Sequence, residues 1–188
     1  MSDPITVAEV AIAAAWNVQG DASRADFTDK VARQFSIALP IVPNTTARSD
    51  PLTAFWLGPR SWLLVAEAPD SPLTDYIDKR DELNPAGGAL FDVSASRVVY
   101  RIAGDHATSV LASSCPLDLH PRRFRPGDCA QSVFGRVNVL LYKSDDAPTF
   151  IIMVARSFGQ DVSQALRQTA AQYEHRADWT AHRRHADC

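Results

Sequence analysis

Leu90-Phe-Asp-Val-Ser-Ala-Ser-Arg-Val-Val-Tyr-Arg-Ile-Ala-Gly-Asp105 decides the fold of this 188-residue chain. It reads as two strands followed by a helix that begins at Asp105 and runs to about Ser114. Arg97-Val-Val-Tyr-Arg-Ile102 alternates, with Val98, Tyr100 and Ile102 on one face, whereas Ala107, Val110, Leu111 and Ser114 keep a helical period. Downstream, Val137-Asn-Val-Leu-Leu-Tyr142 and Thr149-Phe-Ile-Ile-Met-Val-Ala155 are the most strand-like runs, joined by the polar Lys143-Ser-Asp-Asp-Ala-Pro148. A last helix uses Val162, Ala165, Leu166, Ala170 and Tyr173.

Upstream, a first strand is expected within Ile5 to Val18, and Ser23 with Asp26 three residues on is expected to start a helix. Phe27, Val31 and Phe35 then fall on one face, a stripe suited to packing on a sheet. The Pro-, Asn-, Thr- and Ser-rich stretch from Leu39 to Pro51 reads as a loop. Two apolar runs, Leu52 to Leu57 and Ser61 to Ala66, flank Gly58-Pro-Arg60 as a hairpin. Ser71 and Pro72 are expected to start a second helix that carries Leu73, Tyr76 and Ile77 inward and ends before Asn84-Pro-Ala-Gly-Gly88. Adjacent strands with single helices between them predict an α+β protein, two ferredoxin-like lobes of antiparallel sheet with helices on one face. The expected division is 1–95, 96–175 and a charged, His-rich, frayed tail at 176–188.

Length alone supports a hydrophobic core without staples. Three widely spaced cysteines, Cys115, Cys129 and Cys188, suit a reducing, cytoplasmic setting. The one apolar run near the N-terminus, Val10 to Trp16, is too short to span a bilayer and follows acidic residues, so neither targeting nor a membrane is expected. A net charge of −3, from 19 basic and 22 acidic residues, gives no general attraction to phosphate backbones. No nucleic-acid partner is expected, and an RNA-binding module would also need an aromatic, basic central strand.

The stretch Cys115-Pro-Leu-Asp-Leu-His-Pro-Arg-Arg-Phe-Arg-Pro-Gly-Asp-Cys129 concentrates the remaining candidates. Cys115, Asp118, His120 and Cys129 could ligate a metal, but their spacing lacks the close pair of a zinc site. Cys115 as the residue closing its helix and Cys129 as the start of a strand is the favoured reading. Arg122, Arg123 and Arg125 around Phe124, between two prolines, compose a docking loop, with a solvated loop and an inward Phe124 as the alternative. Trp179 is a large ring in a polar tail and a second interface candidate. No nucleophile elbow, glycine-rich phosphate loop or dinucleotide fingerprint occurs, so no catalytic, cofactor-binding or metal residue is assigned.

Four pieces taken together resemble the gamma subunit family of heterotetrameric sarcosine oxidase: Phe55-Trp-Leu-Gly-Pro-Arg-Ser-Trp-Leu-Leu64, Asp92 to Gly104, Cys115-Pro-Leu-Asp-Leu-His-Pro121 and Arg156-Ser-Phe158. More distantly the chain is similar to the aminomethyltransferase (glycine cleavage T-protein) fold. The resemblance implies a non-catalytic chain docked on an alpha subunit, beside beta and delta subunits. The assembly it implies turns sarcosine, tetrahydrofolate and O2 into glycine, 5,10-methylenetetrahydrofolate and H2O2. FAD, FMN, NAD and tetrahydrofolate are then held on the other subunits. Gly-Gln-Asp-Val-Ser163 departs from the tryptophan-containing helix start that the resemblance implies, which leaves open a paralogue for a related N-methyl amino acid. The alternative is a folate-binding, one-carbon transfer protein of aminomethyltransferase type, in which Asp118 holds the place of the acidic residue that positions folate. The blander role for Asp118 is to cap backbone amides in its own loop.

Overall fold

The structure is a computed structural model that describes residues 3–67 and 76–186, apart from the side chains of 76–77 and 174–186. Ser71, Pro72 and Leu73, expected to open the second helix, lie outside the described residues, as do the side chains of Tyr76 and Ile77. In chain order the strands are β1 (Thr6–Val10), β2 (Ala14–Gln19), β3 (Thr46–Ser49), β4 (Leu52–Gly58), β5 (Ser61–Ala66), β6 (Ala89–Asp92), β7 (Arg97–Ala103), β8 (Cys129–Phe134), β9 (Val137–Lys143) and β10 (Thr149–Ala155). The helices are α1 (Ala25–Phe35), α2 (Tyr76–Leu83), α3 (Ala107–Ala112) and α4 (Gly159–Ala186). Two five-stranded antiparallel sheets form, in the orders β1-β7-β10-β9-β8 and β3-β4-β5-β2-β6. This is the expected α+β architecture of two ferredoxin-like lobes.

The chain divides into two compact units, and neither is continuous in sequence. One comprises Ala11–Arg97 with Gly127–Gln131, and the other Met1–Val10, Val98–Pro126 and Ser132–Cys188. A single cut after residue 95 is therefore corrected twice. The N-terminal strand leaves its sequence neighbours because it pairs with β7, Thr6 opposite Ala103 and Val10 opposite Val99. Gly127–Gln131 crosses the other way because Thr45 bridges Asp128 and the Cys129 N–H donates to the Asn44 carbonyl at 2.9 Å.

In the unit built around Ala11–Arg97, Phe27, Val31 and Phe35 of α1 are buried, as their four-residue spacing requires. They meet the β-sheet face that carries Trp16, Val18, Leu52, Ala54, Trp62 and Leu64. Ring contacts of 5.8 Å (Trp16 with Phe35) and 6.0 Å (Phe27 with Trp62) join helix and sheet. Five consecutive residues of β5, from Trp62 to Ala66, are buried. A strand buried on both faces gives a continuous apolar run and not an alternating one.

The start of α1 differs from the expected capping box. The Ser23 hydroxyl and N–H both donate to Asp21 Oδ1, at 2.7 and 3.0 Å, and Arg24 takes the cap position with no side-chain cap bond. The Ser23 bonds hold the Asp21 carboxyl below the usual carboxylate range, helped by Arg60 and Arg24. Asp26 is occupied instead by the Arg24 guanidinium.

In the other unit Val98, Tyr100 and Ile102 are buried along β7, and α3 contributes Ala107, Val110 and Leu111. α4 buries Val162, Leu166 and Ala170 at helical spacing and packs against α3, β1 and β10. Gly104 closes β7 with φ +117°, and a Cβ there would stand 2.4 Å from the Pro4 carbonyl oxygen. Glycine is the residue that meets both demands. The helix of α4 continues to Ala186, where a frayed tail was expected from Arg176. Neither Gly nor Pro occurs after Gly159, so nothing in the backbone chemistry breaks it.

Candidate functional site

The loop after α3 is held by its own backbone. Cys115 closes the helix through its N–H to the Leu111 carbonyl (2.9 Å), is buried, and directs its thiol to Ser132 Oγ at 3.6 Å. Asp118 Oδ1 accepts the His120 N–H at 3.0 Å, and His120 Nδ1 accepts the Arg122 N–H at 3.2 Å. The His120 carbonyl accepts from both Arg123 (2.7 Å) and Phe124 (2.9 Å). Asp118 and His120 thus build a turn, the bland role weighed for the carboxylate.

Phe124 is corrected as a docking anchor, because the residue is buried, at 6% exposed. It stacks on Phe150 with centroids 6.4 Å apart and planes at 16°. Behind that pair the buried Lys143 ammonium lies 4.6 Å from the Phe150 centroid and donates to the Ala147 carbonyl at 2.8 Å. Burying an aromatic ring removes on the order of 150–250 Å² from water, and a stacked partner adds to that gain. Arg122, Arg123 and Arg125 stay on the exposed side, Arg125 Nε reaching the Arg122 carbonyl at 3.4 Å. Trp179 falls on α4, but its side chain lies outside the described residues.

Cys129 begins β8, fully buried, its thiol 3.4 Å from the Thr45 carbonyl and 3.8 Å from that of Trp56. Burial pushes its pKa from 9.0 up to about 11. A thiol so placed is a packing group and a poor nucleophile. Cys115 and Cys129 fall in different compact units, and among the described residues no group of three or more His, Cys, Asp or Glu side chains is placed to hold a metal.

The unit that holds α4 also carries two adjoining open grooves, of about 380 and 340 Å³. Glu9, Tyr100, Arg156, Ser163, Gln164 and Arg167 are among their lining residues. The Tyr100 phenol donates to the Gly159 carbonyl at 2.8 Å, and burial, with the Glu9 carboxylate nearby, holds its pKa above the usual phenol value. Its proton is therefore committed to the fold, and no His, Cys or Lys lines either groove. Sequence reading passed over Ile41 and Val42, which the structure leaves 72% and 59% exposed. The available signal was an uncharged Pro-Ile-Val-Pro43 run inside the stretch read as a loop.

A profile described as "Sarcosine oxidase, gamma subunit family" matches residues 19–172. The chain belongs to the sarcosine oxidase gamma subunit family. A relative within that family, the sarcosine oxidase subunit gamma of Corynebacterium sp. (strain U-96), is 33% identical over 117 residues, 62% of this chain and 56% of that one. The chain thus aligns with about half the length of the curated gamma subunits it matches. A solved heterotetrameric sarcosine oxidase from Corynebacterium sp. U-96, in complex with pyrrole 2-carboxylate, contains a chain that superposes with TM-score 0.81 at 26% identity. That superposition covers 90% of this chain and 85% of the other. A glycine cleavage system aminomethyltransferase T from Bartonella henselae shares the fold, with TM-score 0.62 at 13% identity, over 87% of this chain and 45% of that one.

The pieces that mark this gamma subunit family member have structural work to do. The indole N–H of Trp62 donates to the Pro40 carbonyl at 2.8 Å in a buried setting. Asp92 Oδ1 accepts the Ser94 hydroxyl (2.6 Å) and N–H (2.9 Å), while Ser94 Oγ accepts the Ala15 N–H (2.9 Å), tying the end of β6 to β2. Arg156–Phe158 forms a single 3-10 turn that leads into α4. No helix among the described residues is long and apolar enough to cross a membrane.

Proposed function

We propose that this chain is the non-catalytic gamma subunit of a heterotetrameric sarcosine oxidase, docked on the alpha subunit and stabilising it beside beta and delta subunits. The single observation that supports this most is the superposition, at TM-score 0.81 over 90% of the chain, on a chain of a heterotetrameric sarcosine oxidase. In the assembly, sarcosine is oxidised to glycine, the one-carbon unit passes to tetrahydrofolate, and O2 becomes H2O2. FAD, FMN, NAD and tetrahydrofolate belong to the other subunits in this reading, and the side chains described above supply packing and turns. The buried, free Cys115 and Cys129 suit a reducing cytoplasm.

Co-expression with the three other subunits tests the reading. A four-chain complex that oxidises sarcosine, and that loses cofactor or aggregates when this chain is omitted, is the expected result. A monodisperse chain indifferent to the other subunits, or one that turns over sarcosine alone, would falsify it. The folate-binding alternative is separated by titrating the isolated chain with tetrahydrofolate. Micromolar binding that disappears in Asp118→Asn would favour it.

A further inference from the structure

Three elements of one compact unit meet at the two adjoining grooves, which share Glu9 of β1 and Tyr100 of β7 and are closed by the first turns of α4. These elements are tied to one another. In the β1–β7 register Glu9 stands opposite Tyr100, and the Tyr100 phenol donates to the Gly159 carbonyl at 2.8 Å, at the start of α4. The walls are therefore set before anything binds, and a preformed concave surface lowers the ordering cost of a contact. Val98 and Tyr100, both buried, give the smaller groove an apolar floor.

The charges on the walls say what fits. The larger groove, of about 380 Å³, carries one carboxylate, Glu9, and one guanidinium, Arg167. Both act on the Tyr100 phenol, Glu9 raising its pKa and Arg167 lowering it, so both stand near the same oxygen. Yet among the described residues they form no ion pair, with each other or with any other side chain. Arg167 uses only its Nε, 3.4 Å from Ser163 Oγ. Opposite charges held apart across one concavity favour a ligand that brings the complementary charge to each. The adjoining groove adds Arg156 and Asp161, again one of each sign. A net anion would meet two carboxylates and a net cation two guanidiniums, so a dipolar molecule of zero net charge is the better match.

We propose that these grooves bind a free amino acid with an apolar side chain, its carboxylate against Arg167, its ammonium against Glu9 and its side chain over Val98. The site stands apart from the subunit role, and either can fail without the other. Glu9 and Arg167 are exposed, so their neutral replacement separates binding from folding.

The experiment titrates the full chain with L-leucine at low ionic strength and follows backbone amide shifts by NMR. Saturable binding with a Kd on the order of 1 mM is expected, the usual strength for so small a ligand in an open groove. The shifts are expected to move at Glu9, Tyr100, Ser163 and Arg167. Glu9→Gln and Arg167→Gln are each expected to weaken leucine by roughly tenfold, the worth of one charged hydrogen bond. Two analogues assign the ends. Affinity for 4-methylpentanoate, which lacks the ammonium, is expected to be insensitive to Glu9→Gln, and affinity for 3-methylbutylamine, which lacks the carboxylate, to Arg167→Gln. Should a variant unfold early, the wild-type shift map and the two analogues still decide the matter. No saturation by about 20 mM leucine, shifts confined to other residues, or equal affinity of wild type and both variants overturns the site. So does a Glu9→Gln chain that loses affinity for other subunits while wild type ignores leucine, since the groove would then be part of a protein contact.

Discussion

Cys129 shows how one buried atom links packing to pH. Its thiol lies among the Thr45 and Trp56 carbonyls, and burial raises its pKa from 9.0 to about 11. Below about pH 8 both folded and unfolded chains keep the proton, so the contribution to stability is complete. Between pH 9 and pH 11 the unfolded chain gives up the proton first and binds fewer than the native one, so stability falls as pH rises. At about 1.4 kcal/mol per pH unit, the thiol's share of the loss is about 2–3 kcal/mol. Urea unfolding of wild type and Cys129→Ala at pH 8 and pH 11 checks this: the variant lacks that share, and the gap between the two narrows with pH. Cys129 was legible in the sequence as the start of a strand, whereas Phe124 was legible only as a choice between loop and core. The partner that decides it, Phe150, stands beyond a hairpin, and no local pattern reports that contact.

At the scale of elements, α4 gathers most of what periodicity can reveal. Val162, Leu166 and Ala170 are buried at spacings read directly from the sequence, while Arg167 beside them is exposed. Leu166→Ala should therefore cost about 2–5 kcal/mol in a denaturant titration, and Arg167→Ala less than about 0.5. Equal effects from the two would mean that the helix is misoriented. α1 was legible for the same reason, but its cap was not. Ser23 and Asp26 matched a capping pattern, yet both were taken by nearer partners, Asp21 and Arg24. Competition between polar neighbours two residues apart is invisible to a spacing rule. β1 and β2 show a further limit: an apolar stretch from Ile5 to Val18 conceals the break at Ala11–Ala13, where the strands part for different sheets. The exposure of Ile41 and Val42 was missed because the pair obeys no period, and a loop assignment carries no statement of which apolar side chains it leaves in water.

For the whole molecule, the pairing of β1 with β7 is what a linear division of the chain could not anticipate. Deleting residues 1–10 removes the five-residue register from Thr6 opposite Ala103 to Val10 opposite Val99 and bares the edge of β7. Hydrogen exchange should then show lost protection for Val99 and Arg101, while Ala54 and Leu64, in the other unit, stay protected. Uniform loss across both would mean that the units unfold together. Because Gly104 admits the Pro4 carbonyl at a distance no Cβ would tolerate, this edge depends on the first residues as much as on β7 itself. Synthesis on the ribosome runs from the N-terminus, so Thr6–Val10 emerges long before the segment it must join. The first strand has to wait, unpaired, through the translation of almost a hundred residues, and any chaperone that shelters nascent edges would find its target there.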